Sequence, residues 1–164
     1  MKKFLLILLL LLLPFSVARA YPGEKEGFGL LRWGMSVSDV KHLYHDAVPV
    51  KKINSDFADT VWVVTIPDAH GEMGIDSEVF AACYFSDNRL ITIQLPIDGD
   101  TEDIDTIRSH QLSRMICLYG IPDIENEQGS TIWEGIVTSI YLSPSIVMKD
   151  NKSVFFITLL DMQS

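Results

Sequence analysis

The sequence predicts an α+β fold: two tandem α-β-β-β modules forming an antiparallel sheet, with the helices packed on one face. Three observations predict it. Apolar residues recur at helical spacing twice, near residues 36–44 and 104–119. Each helical stretch is followed by three strand-like runs. The last two runs of each half are joined by the same dipeptide, Asp87-Asn88 and Asp150-Asn151, which tolerates the positive φ of a tight hairpin turn.

The chain opens on an address. Lys2 and Lys3 precede an apolar run over residues 4–15, and Ala18-Arg19-Ala20 supplies small residues at the positions a signal peptidase reads. A signal peptide over residues 1–20, cut before Tyr21, is expected, with a periplasmic or secreted product. The apolar run is short of the ~20 residues a membrane span needs. No second long apolar stretch follows, so no span is expected after cleavage. Loss of Lys2, Lys3 and Arg19 leaves 10 basic residues against 22 acidic ones, a net charge of about −12. Nucleic acid is excluded as a partner, because binding it needs Lys and Arg at phosphates. Anionic lipid surfaces are disfavoured for the same reason.

The first module spans residues 21–97. Ser36 can cap a helix, with Asp39 three residues on as in a capping box, and Val37, Val40, Leu43 and Tyr44 follow at helical spacing. Trp33 and Met35 precede the cap, where an apolar residue staples the chain entry; a ligand platform at Trp33 is the alternative. Strands are expected at "TVWVVTI" (60–66), "VFAACYF" (79–85) and "LITIQL" (90–95). The second module spans residues 98–164. Acidic "DGDTEDID" leads into a helix carrying Ile104, Ile107, Met115, Ile116 and Tyr119 largely on one side, ended by Gly120 and Pro122. Strands follow around Trp133, at "IVTSIYL" (136–142) with an extension to Met148, and at "SVFFITLL" (153–160). Trp62 and Trp133 occupy matching places in the two halves, as do "SDNRL" and "KDNKS".

"GMSVSDV" (residues 34–40) resembles the Gly-Met-Ser/Thr-x-x-x-Val helix start of the small BamE-like (SmpA/OmlA) envelope proteins. The tandem helix-plus-sheet layout is similar to the beta-lactamase inhibitor protein fold. That resemblance implies a concave sheet face that grips a protein partner. The chain differs from the BamE-like proteins in lacking a lipid-bearing cysteine, and its Gly-x-Pro stands only after the second helix, as Gly120-Ile121-Pro122.

Few constellations carry chemistry. His42 and His45 have a spacing that could hold a metal, but they project away from the apolar stripe of their helix. Asp98, Asp100 and Glu102 alternate like the start of a calcium loop. The position that needs glycine is Asp103, and the closing acid is Ser109. No nucleophile elbow, H-E-x-x-H pair, phosphate-cradling loop or dinucleotide fingerprint is present. No catalysis, metal or cofactor is therefore expected. Cys83 and Cys117 are the only cysteines, and export permits a disulfide. Their expected directions separate them: Cys83 on the sheet face away from the helices, Cys117 away from the apolar side of its own helix.

Hairpin register singles out a surface. Folding at Asp87-Asn88 pairs Tyr84 with Ile91, Ala82 with Ile93 and Phe80 with Leu95, an apolar face expected in the core. Phe85, Leu90, Cys83, Thr92, Ala81 and Gln94 then face outward. Folding at Asp150-Asn151 puts Leu142, Ile146, Phe155, Ile157 and Leu159 in the core, with Tyr141, Val147, Val154, Phe156 and Leu160 opposite. The expected binding surface is centred on Tyr141, Phe156 and Leu160, and Phe85, Leu90, Thr92 and Gln94 extend it across the sheet. The function expected from this surface is an exported, non-catalytic module that binds another envelope or secreted protein. The alternatives are an envelope hydrolase using paired carboxylates and a self-associating envelope component, with a homodimer among the outcomes.

Overall fold

A computed structural model describes residues 20–51, 56–67, 69, 72–75, 77–149 and 151–164. The expected signal peptide, save Ala20, lies outside the described residues, as does Asp150 of the second turn. The fold is α+β. A two-residue hairpin, β1 (Gly27–Phe28) and β2 (Leu31–Arg32), precedes helix α1 (Val37–Leu43). Strands β3 (Val48–Pro49), β4 (Thr60–Ile66), β5 (Val79–Ser86) and β6 (Arg89–Asp100) lead to helix α2 (Ile104–Tyr119). Strands β7 (Ile124–Glu125), β8 (Thr131–Trp133), β9 (Thr138–Leu142), β10 (Ile146–Val147) and β11 (Lys152–Asp161) complete the chain. β3 to β11 form one antiparallel sheet in the order β3-β4-β5-β6-β11-β9-β8-β7, and β10 adds to β11.

The two halves join through their last strands. β6 and β11 pair over nine residues from Lys152–Asp100 to Leu160–Thr92. Strand β6 thus runs five residues past Leu95. Pro96 is tolerated because its partner Phe156 turns both backbone groups toward Ser143, through Ser143 N–H and Oγ, each at 2.9 Å. The nitrogen of Pro96 therefore points away from β11, toward the side where β5 pairing has already ended at Ala82–Gln94.

Both helices lie on one face. A capping box starts α1: Asp39 N–H donates to Ser36 Oγ at 3.2 Å, and Ser36 N–H donates to Asp39 Oδ2 at 2.9 Å. These bonds from Ser36 hold the Asp39 carboxyl below its ordinary range. Val40 enters the core, and Lys41 lies 5.1 Å over the Trp62 ring. On α2, Ile104, Gln111, Met115 and Tyr119 are buried, whereas Ile107 and Ile116 are partly exposed. Gly99 lets α2 sit close, since a Cβ there would meet Ile107 Cδ1 at 2.9 Å. Gly120, at φ 82, ends the helix and its carbonyl accepts Trp133 Nε1–H at 2.9 Å. One continuous core includes Val40, Val64, Cys83, Phe85, Leu95, Met115, Trp133, Phe155 and Ile157. The expected modules, residues 21–97 and 98–164, therefore share a single sheet and a single core.

Trp33 is a tie rather than a platform. Its Nε1–H donates to Thr138 Oγ1 at 2.6 Å, and that hydroxyl donates in turn to the Lys25 carbonyl. Glu24 Oε1 accepts the Thr138 N–H at 2.8 Å. Thr138 is thus a buried polar hub fastening the N-terminal segment to β9. Thr138→Val keeps the shape and orphans a part-buried indole N–H and a carbonyl. A loss of about 2 kcal/mol is expected in urea unfolding; a change under ~0.5 kcal/mol would mean that water replaces the hub.

Candidate functional site: the open face of the sheet

Every residue at a given register position shares a face, and the pairings continue across strand after strand. One row reads Val48, Val63, Ala82, Gln94, Thr158, Tyr141, Ile132 and Ile124, crossing eight strands on the face away from the helices. At ordinary strand spacing the row is roughly 34 Å wide. A second row carries Val61, Tyr84, Thr92, Leu160 and Ser139. Beyond the first row on its other side, Thr65 pairs with Phe80, and Pro96 with Phe156.

The centre is tied laterally by side chains. Tyr84 Oη–H donates to Gln94 Oε1 at 3.0 Å, and Gln94 Nε2 donates to Thr158 Oγ1 at 3.4 Å. The Phe57 ring stacks on Tyr84 at 5.5 Å. Tyr141 and Ser130 share a hydroxyl hydrogen bond of 2.5 Å. Partial burial raises the Tyr84 phenol above its ordinary value, so the ring is neutral and a hydrogen-bonding apolar platform. Around these polar links, Phe80 is 58 % exposed, Phe57 56 %, Ile146 48 % and Leu160 38 %.

The structure sorts the sequence-derived surface. Tyr141, Phe156, Leu160, Thr92 and Gln94 all stand on the open face, where Thr92 is buried among its neighbours. Phe85 and Leu90 do not: both are completely buried against the helices. The cause is a β-bulge. Phe85 pairs with Leu90 beside the turn, but Tyr84 then pairs with Thr92, leaving Ile91 without a partner in β5. One extra residue exchanges the faces of β5 beyond that point. Val79, Ala81, Cys83 and Phe85 go to the core, and Phe80, Ala82 and Tyr84, expected in the core, go to the open face. Cys83 is accordingly corrected to the helix face, while Cys117 is exposed, and both are free thiols. A second slip occurs near Pro144. Ile146 pairs with Val154 and Val147 with Ser153, so these two exchange the faces expected of them.

Sequence reasoning missed Phe57, Phe80, Tyr84 and Ile146. The signal for Phe80 and Tyr84 lay in β5 itself, where the opposite phase is Val79, Ala81, Cys83 and Phe85, small enough in the middle to sit under helices.

Among the described residues no group of three or more His, Cys, Asp or Glu is placed to hold a metal. Asp100, one of the calcium-loop acids, pairs with Lys152 at 2.7 Å. His42 and His45 rings meet edge-on at 6.5 Å. Several carboxylates elsewhere accept backbone N–H groups: Glu24 from Val137 and Thr138, Asp46 from Thr65, Asp59 from Asp87, and Asp123 from Glu134. No helix among the described residues is long and apolar enough to cross a membrane. Comparison with family models, curated proteins and solved structures finds no match.

Proposed function

We propose that the protein is exported after cleavage behind Ala20 and acts as a non-catalytic module that binds another envelope or secreted protein through the open sheet face. The observation that carries this reading is the eight-strand row and its flanking aromatics, a broad face on which no helix packs among the described residues. Exposed apolar clusters of this extent mark contact surfaces. Aromatic groups at the middle of an interface contribute most of its binding energy. The sheet order, β3-β4-β5-β6 followed by β11-β9-β8-β7, supports reading the chain as two tandem α-β-β-β modules. The resemblance to BamE-like proteins and to the inhibitor fold points to the same kind of use.

The test is capture of partners from envelope extract on the immobilised mature protein, repeated with Phe80→Ser and Leu160→Ser. Phe80 is well exposed and Leu160 partly so, and stability should move by less than about 1 kcal/mol. Retention of a specific partner should fall at least about tenfold. A stability loss of several kcal/mol would make the face an interior. A homodimer broken by the same substitutions would favour self-association. Turnover in a hydrolase panel, lost on carboxylate substitution, would favour the hydrolase. Export is tested separately: N-terminal sequencing of the secreted form should begin at Tyr21. That cut spares the packed unit, since Tyr21 already lies in the core with its ring 5.4 Å from Tyr119. A start at Met1 in a membrane fraction would overturn it.

A further inference from the structure

A cleft of about 750 Å³ opens beside the end of α1, at the β4 edge on the helix side of the sheet. Its size is that of a small-molecule site. Leu30, Leu43, Ile66 and Pro67 form apolar walls, and Asp46 and Glu72 stand among them. Leu30 is 60 % exposed and Leu43 38 %, so water rather than protein now covers apolar surface that a ligand would bury. No Lys or Arg is among the described lining residues, while Arg32 donates to the Gly29 carbonyl at 2.7 Å from outside them.

The two carboxylates differ. Glu72 accepts the Gly29 N–H at 2.6 Å and pairs with Lys25 at 2.5 Å, so its charge is balanced. Asp46 accepts the Thr65 N–H at 2.9 Å through one oxygen and has no ion pair among the described residues. That hydrogen bond keeps Asp46 ionised by lowering its carboxyl below the ordinary range. It also occupies an amide on the edge strand, which blocks a further β-strand from adding there. The Tyr44 hydroxyl, accepting the Leu30 N–H at 3.4 Å, leaves its own proton available to donate.

We propose that this cleft binds an amphipathic organic cation, with an alkyl or aromatic body against Leu30, Leu43, Ile66 and Pro67 and an ammonium group at Asp46. The apolar walls select the body, and the unbalanced carboxylate selects the sign of the head group. His45 also lines the cleft, next in sequence to Asp46.

The test uses the mature protein and three probes sharing one chain: octylammonium, octanoate and 1-octanol, at pH 7.5. Amide chemical shifts read both site and affinity. Octylammonium should saturate and move the amides of Leu30, Asp46 and Thr65. It should bind at least about fivefold more tightly than octanoate, the ratio a single solvated charge contact supplies. Asp46→Asn keeps an acceptor for Thr65 while removing the charge. It should erase the preference for the cation and leave 1-octanol binding unchanged. Leu30→Ser should weaken all three probes. Equal binding of octanoate, an unchanged cation preference in Asp46→Asn, or shifts confined to other residues would overturn the proposal.

Discussion

Phe85→Ala should cost about 3–5 kcal/mol of stability in urea unfolding, the range for removing a fully buried aromatic ring. The simple two-residue hairpin puts this ring in solvent, where truncation would cost under about 0.5 kcal/mol. The bulge at Ile91 puts it instead in the core, with no exposed surface and Thr60 and Leu90 as its strand neighbours. The measurement therefore decides the register as well as the residue. Because Phe85 and Leu90 are adjacent on the helix side, truncating both should cost less than the sum of the two single changes. Near-wild-type stability for Phe85→Ala would restore the unbulged pairing and return Tyr84 and Phe80 to the core.

The second large effect needs no substitution. In the native protein Cys117 should react with a thiol reagent at pH 8 while Cys83 stays protected, at a rate at least about a thousandfold lower. Cys117 is exposed on α2; Cys83 is fully buried on the helix face of β5. Burial pushes the Cys83 thiol up to about 12. At pH 8 its reactive thiolate is then roughly one molecule in ten thousand, against roughly one in four for an ordinary thiol. The folded value is raised, so the neutral thiol contributes stability in full below about pH 8.5, and that contribution fades as pH rises toward the folded value. Mass spectrometry of the labelled protein checks the order of reaction. Equal rates would place Cys83 on the open face, as the unbulged hairpin requires.

Several features are legible in the sequence because nearby residues decide them. The Ser36–Asp39 box is made within one helical turn, and the structure forms both of its bonds. Asp87 and Asn88 adopt φ of 49° and 59°, as a tight hairpin of that composition requires. Gly120 stops α2 by its own positive φ. The phase of β11 was legible too. Phe155, Ile157 and Leu159 alternate with Phe156, Thr158 and Leu160, and burial follows that alternation. That alternation assigns Phe156 and Leu160 to the open face, and pairing across the hairpin adds Tyr141 beside Thr158.

Tertiary structure decided what depends on a partner strand or a distant backbone group. The extra residue at Ile91 is invisible in "LITIQL", where Ile91, Ile93 and Leu95 alternate with Thr92 and Gln94; it exists because Leu90, Ile93 and Leu95 can then all reach one core with Phe85 and Cys83. The same single residue exchanged the faces of β5 and so exchanged Phe85 for Phe80 and Tyr84 in the candidate site. Gln111 reads as a polar break in the α2 stripe, yet it is buried because its amide donates to the Met73 carbonyl of a loop 38 positions away. The pairing of β6 with β11, which merges two halves into one sheet and carries the open face across eight strands, joins segments more than fifty residues apart. Local propensity acts over a few positions and determines helices, caps and turns; which strand edges meet, and in what register, is determined by the shared core they close.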